Sequence, residues 1–388
     1  MPASRGHLRQ LLSRDAAAAA GGAAVFSLSL GMAAVALPLL ALHAGYSGAE
    51  IGVLIAVSAL SQMATRLMLG AAMRRWPDWT LITAAGFLLA ASNSAVALSA
   101  AVAPFVIAEL LQGVARACFW TGSQTHVVRG PGRAVGALAT VNLASAVGLL
   151  GGPVLAGLLS ESTPVLALVV AACVALAATV PTFLLDRLPP FSLPEDRPSG
   201  RLWQRPGVDV GCWAGVTAGA WRGLLNSYVP VALDAARQSS ATIGALVSIA
   251  NGASLAGAGL VSRVHARGAA RALALGTVAA GLGTGLTALV AGDVLLSALV
   301  LAVSGLGAGA LQTVGPAIAT ESVHPEERGE AIAVTGTFRA AALFVAPLAV
   351  AGLVGVVALA PAMGLVGAAM TVPALALRRR TTHQEAAP

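Results

Sequence analysis

Charge is what this sequence has least of. Acidic and basic residues together make 10% of the 388 residues, against about 25% in an ordinary soluble protein. A water-facing surface cannot be built from so little charge. One very large soluble core is excluded as well, because interiors stop growing and chains split into domains beyond roughly 250 to 300 residues. Lysine is absent altogether, so all 23 basic residues are arginine. Cysteine is scarce, and Cys118, Cys173 and Cys212 lie in apolar stretches without paired spacing or histidine neighbours. That pattern excludes a zinc site and a disulfide framework, and the three read as small buried apolar residues. Polar catalytic clusters are missing too: no paired carboxylates within an apolar run, no closely spaced His and Glu ligands, no phosphate-cradling glycine loop followed by lysine. Neither an enzyme nor a metal or cofactor is expected from such a chain.

What the sequence does have is apolar length, with 57% hydrophobic residues. Twelve apolar runs occupy 16–43, 49–73, 80–102, 104–128, 134–159, 163–185, 208–233, 241–262, 270–291, 294–320, 331–353 and 355–377. Each approaches or exceeds the roughly 20 residues that cross a bilayer as a helix. The first exceeds the short apolar core of a signal peptide and is read as a retained span. The longest polar stretch, 186–207, separates runs six and seven. The expected organisation is an N-tail (1–15), a six-helix bundle (16–185), a central loop (186–207), a second six-helix bundle (208–377) and a C-tail (378–388). The halves are weakly self-similar. Ile51-Gly52-Val53-Leu54 matches Ile243-Gly244-Ala245-Leu246, and Gly132-Arg133-Ala134-Val135-Gly136 matches Gly329-Glu330-Ala331-Ile332-Ala333, at offsets of 192 and 197. Repeats at equivalent topological positions are what a transporter made of two duplicated bundles shows. The fold class expected is an all-α polytopic membrane protein of twelve helices in two pseudo-symmetric bundles.

The arginines orient the chain. With the N-terminus inside, 18 of 23 fall in inside segments, one (Arg237) falls outside, and four (Arg66, Arg116, Arg222, Arg339) lie within spans. By the positive-inside bias this places both termini in the cytoplasm of a plasma or inner membrane. A pI near 10.8 suggests nucleic acid in a soluble protein. Here the arginines alternate with apolar runs, so the partner expected is the bilayer and not nucleic acid, and the unit expected is a monomer.

Run five reads Gly148-Leu149-Leu150-Gly151-Gly152-Pro153-Val154-Leu155-Ala156-Gly157. Pro153 removes a backbone donor and bends the helix, while Gly148, Gly152 and Gly157 let a neighbouring helix approach closely. At this point the chain resembles the major facilitator superfamily (MFS), and within it the twelve-span drug/proton antiporters, whose fifth-helix motif G-x-x-x-G-P-x-x-A/G-G is matched throughout by residues 148–157, Ala156 included. The resemblance covers the whole chain and implies alternating access about a midplane cavity. Other motifs are altered. The loop after run two, Gly70-Ala71-Ala72-Met73-Arg74-Arg75-Trp76-Pro77-Asp78, has arginine where the family's gating aspartate stands. The fourth-span R-x-x-Q-G survives as Glu109-Leu110-Leu111-Gln112-Gly113, with an acid in place of the arginine. Pro325-Glu326-Glu327-Arg328-Gly329-Glu330-Ala331 looks like the family's acidic-arginine turn.

Ionisable groups inside the bilayer cost about 2.5 to 3.5 kcal/mol each on the insertion scale and mark function by default. Glu109, Gln112 and Arg116 stand on one face of run four, with Glu109 the candidate proton carrier and Arg116 its partner; a purely structural pair is the alternative. Run seven offers Arg222 and Asn226, flanked by Trp213, Trp221 and Tyr228, which could equally anchor the chain at the lipid interface. The resemblance places spans one, four, seven and ten around the cavity, which brings in Ser27, Ser29 and Gln312. Arg66 and Arg339, with Gly70, Arg74, Arg75, Glu321 and Glu330, are expected at a cytoplasmic gate. Four arginines against one clear acid make the cavity net positive, so the expected solute is neutral-amphipathic or anionic. The expected function is proton-coupled export of a small organic molecule. Uptake or facilitated diffusion by the same fold, and a non-transporting membrane protein, are the alternatives.

Overall fold

A chain this apolar must close its backbone hydrogen bonds within its own segments, because lipid offers no partners. The computed structural model describes residues 14–73, 75–129, 134–190, 202–261, 266–323 and 328–374. Among these there are thirteen α-helices and no strand: α1 (Arg14–His43), α2 (Gly48–Ala72), α3 (Asp78–Leu98), α4 (Val102–Arg129), α5 (Ala134–Ser160), α6 (Pro164–Ala177), α7 (Val208–Asn226), α8 (Tyr228–Ala235), α9 (Ser240–Val261), α10 (Ala266–Val290), α11 (Val294–Glu321), α12 (Arg328–Val354) and α13 (Leu359–Ala369). Ten segments are long and apolar enough to cross a membrane. Helices α7 and α8 together form a further span, broken in the middle, and α13 begins the last. Residues 1–13, 191–201 and 375–388, expected in the tails and central loop, lie outside the described residues.

Proline explains the three spans that depart from a single uninterrupted helix. Its ring clashes with the carbonyl four residues earlier and it offers no N–H to that carbonyl. Helix α6 ends at Ala177, four residues before Pro181, and a 3₁₀ segment (Val180–Leu184) carries the chain on. Helix α7 ends at Asn226, four before Pro230, and α13 ends at Ala369, four before Pro373. At the α7/α8 break the Ser227 hydroxyl donates to the Gly223 carbonyl at 2.7 Å, which satisfies one acceptor of the interrupted turn. Pro38, Pro153, Pro316 and Pro347 instead lie inside continuous helices.

The helices gather into two compact units. The first comprises Met1–Leu40 and Leu60–Pro194. Its apolar core includes Phe26 of α1 stacked on Phe119 of α4, centroids 3.9 Å apart. Helix α5 lies against α1 through its motif glycines: a methyl group at Gly152 would meet the Leu28 carbonyl oxygen at 2.5 Å, and one at Gly148 would meet the Ala24 carbonyl. Gly148, Gly152 and Pro153 thus set the α1/α5 contact, while Ala156 and Gly157 are buried one turn on.

The second unit comprises Ala41–Ala59 and Glu195–Pro388. The end of α1 and the first half of α2 therefore pack with the later helices: Tyr228 lies over Gly48 and Gly52, its ring carbon Cζ 2.8 Å from where a Gly52 Cβ would stand. Within this unit α7 and α12 meet along a four-residue stripe. Gly211, Gly215, Gly219 and Gly223 face, in turn, the levels of Thr335, Thr335 to Arg339, Arg339 and Leu343 to Pro347. Small residues at this spacing allow backbones to touch. The cysteines divide: Cys118 and Cys212 are buried, whereas Cys173 is exposed on α6, which corrects the expectation that all three are buried.

Candidate functional site

In the first unit, the α4 triplet stands where helical spacing puts it. Glu109, Gln112 and Arg116 are 2%, 2% and 8% exposed. The Arg116 guanidinium donates from Nη2 to the Gln112 side-chain oxygen and lies within electrostatic reach of Glu109. The Gln112 side-chain nitrogen has no hydrogen-bond partner among the described residues. Arg116 of this unit therefore lies beside a negative charge.

The second unit is built differently. Arg222 on α7 donates from Nη1 to the Asn251 side-chain oxygen on α9 at 2.6 Å. Arg339 on α12 donates from Nη2 to the Gln312 side-chain oxygen on α11 at 2.8 Å. Gln312 in turn donates to the Ser254 hydroxyl at 3.4 Å, and Ser254 stands one turn from Asn251 on α9. Four helices thus contribute to one polar chain. Arg222, Asn226, Gln312 and Arg339 are half-buried, while Asn251 and Ser254 are buried. Gln112 and Gln312 sit 200 residues apart, close to the repeat offset, and each accepts from an arginine. Trp221 and Tyr228 are fully buried, and the Trp221 indole donates to Ser304 at 3.2 Å. Their place is inside the unit, not at the lipid interface; Trp213 is the exposed one, at 45%.

Other expected positions fall elsewhere. Ser29 is buried between helices, donating to the Ala171 carbonyl of α6 at 2.8 Å and accepting from Asn93 of α3 at 3.2 Å. Ser27 is buried against Gly148 of α5. Both hydroxyls therefore stand in interhelical packing. Of the gate candidates, Arg66 is half-buried on α2, Gly70 is helical, Arg75 and Glu321 are exposed, and Arg339 belongs to the polar chain above. Arg74 lies outside the described residues, and so does the side chain of Glu330.

A charged cluster that sequence reasoning missed closes one end of the first unit. The His126 ring on α4 is fully buried between Asp15 of α1, 2.9 Å from Nε2, and Asp78 of α3, 3.3 Å from Nδ1. The Nε2 contact has hydrogen-bond geometry, and the Nδ1 contact is an ion-pair distance only. Arg129 pairs with Asp78 at 3.3 Å and donates to the Pro189 carbonyl at 2.7 Å. The Asp186 N–H donates to Asp15 at 2.8 Å, and the Arg187 guanidinium sits 3.8 Å over the Trp79 ring. The available signal was acids in the first turns of α1 and α3 with His126 and Arg129 in the last turn of α4, the arrangement helix dipoles favour.

Comparisons with known proteins agree with this architecture. No curated protein matches the chain. Among solved structures, a point mutant of the nucleoside transporter NupG is similar at 13% identity and a TM-score of 0.76, with 94% of this chain and 99% of that one covered. A POT family transporter in complex with a thioalcohol-conjugated peptide aligns at 11% identity and a TM-score of 0.76, covering 95% and 96%. A bacterial homologue of the human lysosomal transporter Spinster, inward-facing and unoccupied, aligns at 11% identity and 0.68, covering 94% and 95%. At such identities the likeness is one of fold. The family profile described as Major Facilitator Superfamily matches residues 19–347 and 211–388. With twelve spans, an all-α architecture and a profile match running through both halves, the chain belongs to the Major Facilitator Superfamily, a multi-pass membrane protein with a transporter fold.

Proposed function

We propose that this protein is a secondary active transporter that exports a small organic molecule in exchange for protons by alternating access, with Glu109 as the proton carrier and Arg116 as its charge partner. One observation carries the reading: Glu109 is a carboxylate 2% exposed, two turns into α4 and within electrostatic reach of a buried arginine. A buried charged pair of this kind costs free energy that packing alone does not require, and inside a membrane such groups serve ion or substrate pathways. The resemblance of residues 148–157 to the antiporter motif motivates the exchange reading, although the motif shapes a helix and does not itself set direction. Gln112, Arg222, Asn226 and Gln312 are the proposed solute contacts, and Ser27 and Ser29 are assigned packing roles within the first unit. Arg66, Gly70, Arg74, Arg75, Glu321 and Glu330 are proposed for a cytoplasmic gate. The protein acts as a monomer in the plasma or inner membrane with both termini in the cytoplasm.

The test is reconstitution in vesicles with a pH-sensitive dye inside and a pH gradient of either sign. Added solute is expected to accelerate proton movement, and Glu109→Gln is expected to remove that acceleration while leaving solute binding measurable. Solute movement without proton movement makes the protein a facilitator; no solute-dependent flux of either kind overturns the proposal.

A further inference from the structure

The two units differ in how they handle deep charge. In the second unit two arginines stand inside the spans, and among the described residues each acid there occupies a helix end: Asp209 in the first turn of α7, Asp234 next to last in α8, Asp293 capping α11, Glu321 ending α11, Glu330 third in α12, and Glu50 in the first turn of α2. Arg222 is 13 residues from Asp209 and Arg339 is 9 from Glu330, about 20 and 14 Å along their helices. The two arginines are at nearly one level. Arg339 is the α12 residue against which Gly219 packs, a Cβ there falling 3.1 Å from the Arg339 Cα, and Arg222 lies three residues beyond Gly219, about 4.5 Å of rise.

We infer that the Arg222–Asn251–Ser254–Gln312–Arg339 chain is an anion-recognition site, and that the solute carries a carboxylate or phosphate group which both guanidinium groups bind. The inference rests on the transporter reading and names its substrate class. The amide oxygens of Asn251 and Gln312 hold the two guanidinium groups in place. They are neutral acceptors, and hydrogen bonds from a guanidinium to a charged oxygen are roughly twice as strong, so an incoming anion gains by replacing them. Arg222 and Arg339 are each half-buried residues, so neither is sealed off. Arginine's planar fork suits a carboxylate or phosphate bidentately, which a lysine cannot reproduce. Arg339 thereby moves from the expected gate to the solute.

Thermal unfolding of the purified full chain in detergent, at matched ionic strength, tests this with four probes on one ring. Benzoate and phenyl phosphate are the anions, benzamide the neutral isostere and benzylamine the cation. At saturation at least one anion is expected to raise the midpoint by about 3 °C or more, and which one responds tells a carboxylate reader from a phosphate reader. Arg222→Gln and Arg339→Gln are each expected to weaken that anion by roughly tenfold or more. Arg222→Lys and Arg339→Lys, which keep the charge, serve where a Gln variant fails to elute as a single species. Silence from both anions, an equal effect of benzamide or benzylamine, or shifts that survive in the arginine variants overturn the assignment. An arginine-dependent anion effect without proton flux in vesicles keeps the site and removes the coupling. Proton flux driven by neutral or cationic solutes alone does the reverse.

Discussion

A buried hydroxyl that finds no partner loses its water for nothing, and Tyr228 is such a case. Its ring is fully buried over Gly48 and Gly52, and its oxygen has no hydrogen-bond partner among the described residues. Leaving a polar group so placed costs about 1 to 3 kcal/mol. Tyr228→Phe keeps the ring and removes the cost, so it is expected to raise stability by about 1 kcal/mol in thermal unfolding; a fall would mean that the oxygen has work elsewhere in the transport cycle. His126 makes the opposite case. Its ring stands between two carboxylates with no exposure, and His126→Ala would leave the buried Asp78 with Arg129 as its cation and the Trp79 N–H as a donor. Breaking a buried ionic contact by removing one partner costs 3 to 5 kcal/mol; because Arg129 remains, a loss of about 3 kcal/mol is expected in the same measurement. The deep arginines and Gln112 and Gln312 were legible because charge inside an apolar run is conspicuous. The His126 cluster was not, since its partners are 111 and 48 positions away in sequence and only the packing of α1, α3 and α4 unites them.

Helix boundaries were legible to within a few residues, and the exceptions have one cause. Runs six, seven and twelve were read as whole spans, yet each α-helix stops four residues short of a proline, a rule that the sequence already contained. Why the helices holding Pro38, Pro153, Pro316 and Pro347 continue past them is decided by neighbours, which no local pattern specifies. Glycine spacing is similar. The spacing of Gly148 and Gly152 makes their packing face on α1 legible, and Gly211, Gly215, Gly219 and Gly223 of α7 have the same regularity. Substitution separates glycines that helices need from those they merely tolerate. At Gly219 an added methyl group would stand 2.9 Å from the Arg339 carbonyl carbon, and overpacking of this kind costs about 1 to 3 kcal/mol. At Gly21 of α1 nothing lies within 4 Å, so alanine there is expected to stabilise by up to about 1 kcal/mol. Gly219→Ala is therefore expected to lower the unfolding midpoint and Gly21→Ala to raise it; equal effects would mean that α7 and α12 do not approach as described.

Across the whole chain, scarcity of charge does two separate jobs. Deep charge is confined to a few side chains that carry the functional proposals, and the remaining arginines lie between spans, where they bias insertion. The compact units do not follow the simple halves, since 41–59 packs with the later helices; hydropathy sees segments, and not which segment packs on which. Orientation is different, because it depends on the loops alone. Only Arg237 falls in an outside loop, against 18 arginines in the segments assigned to the inside. Each basic residue near a span end adds to one direction of insertion, so the positive-inside bias predicts both termini in the cytoplasm and no reversal by a single substitution. Cysteine labelling in intact cells reads this directly. In a background with exposed Cys173 replaced by alanine, Ser162→Cys, in the exposed turn between α5 and α6, is expected to react with a membrane-impermeant maleimide added outside. Thr381→Cys, in the C-tail, is expected to react only after permeabilisation. The reverse labelling would invert the assignment of inside and outside, and labelling of both positions from one face would contradict an even number of spans with both termini in the cytoplasm.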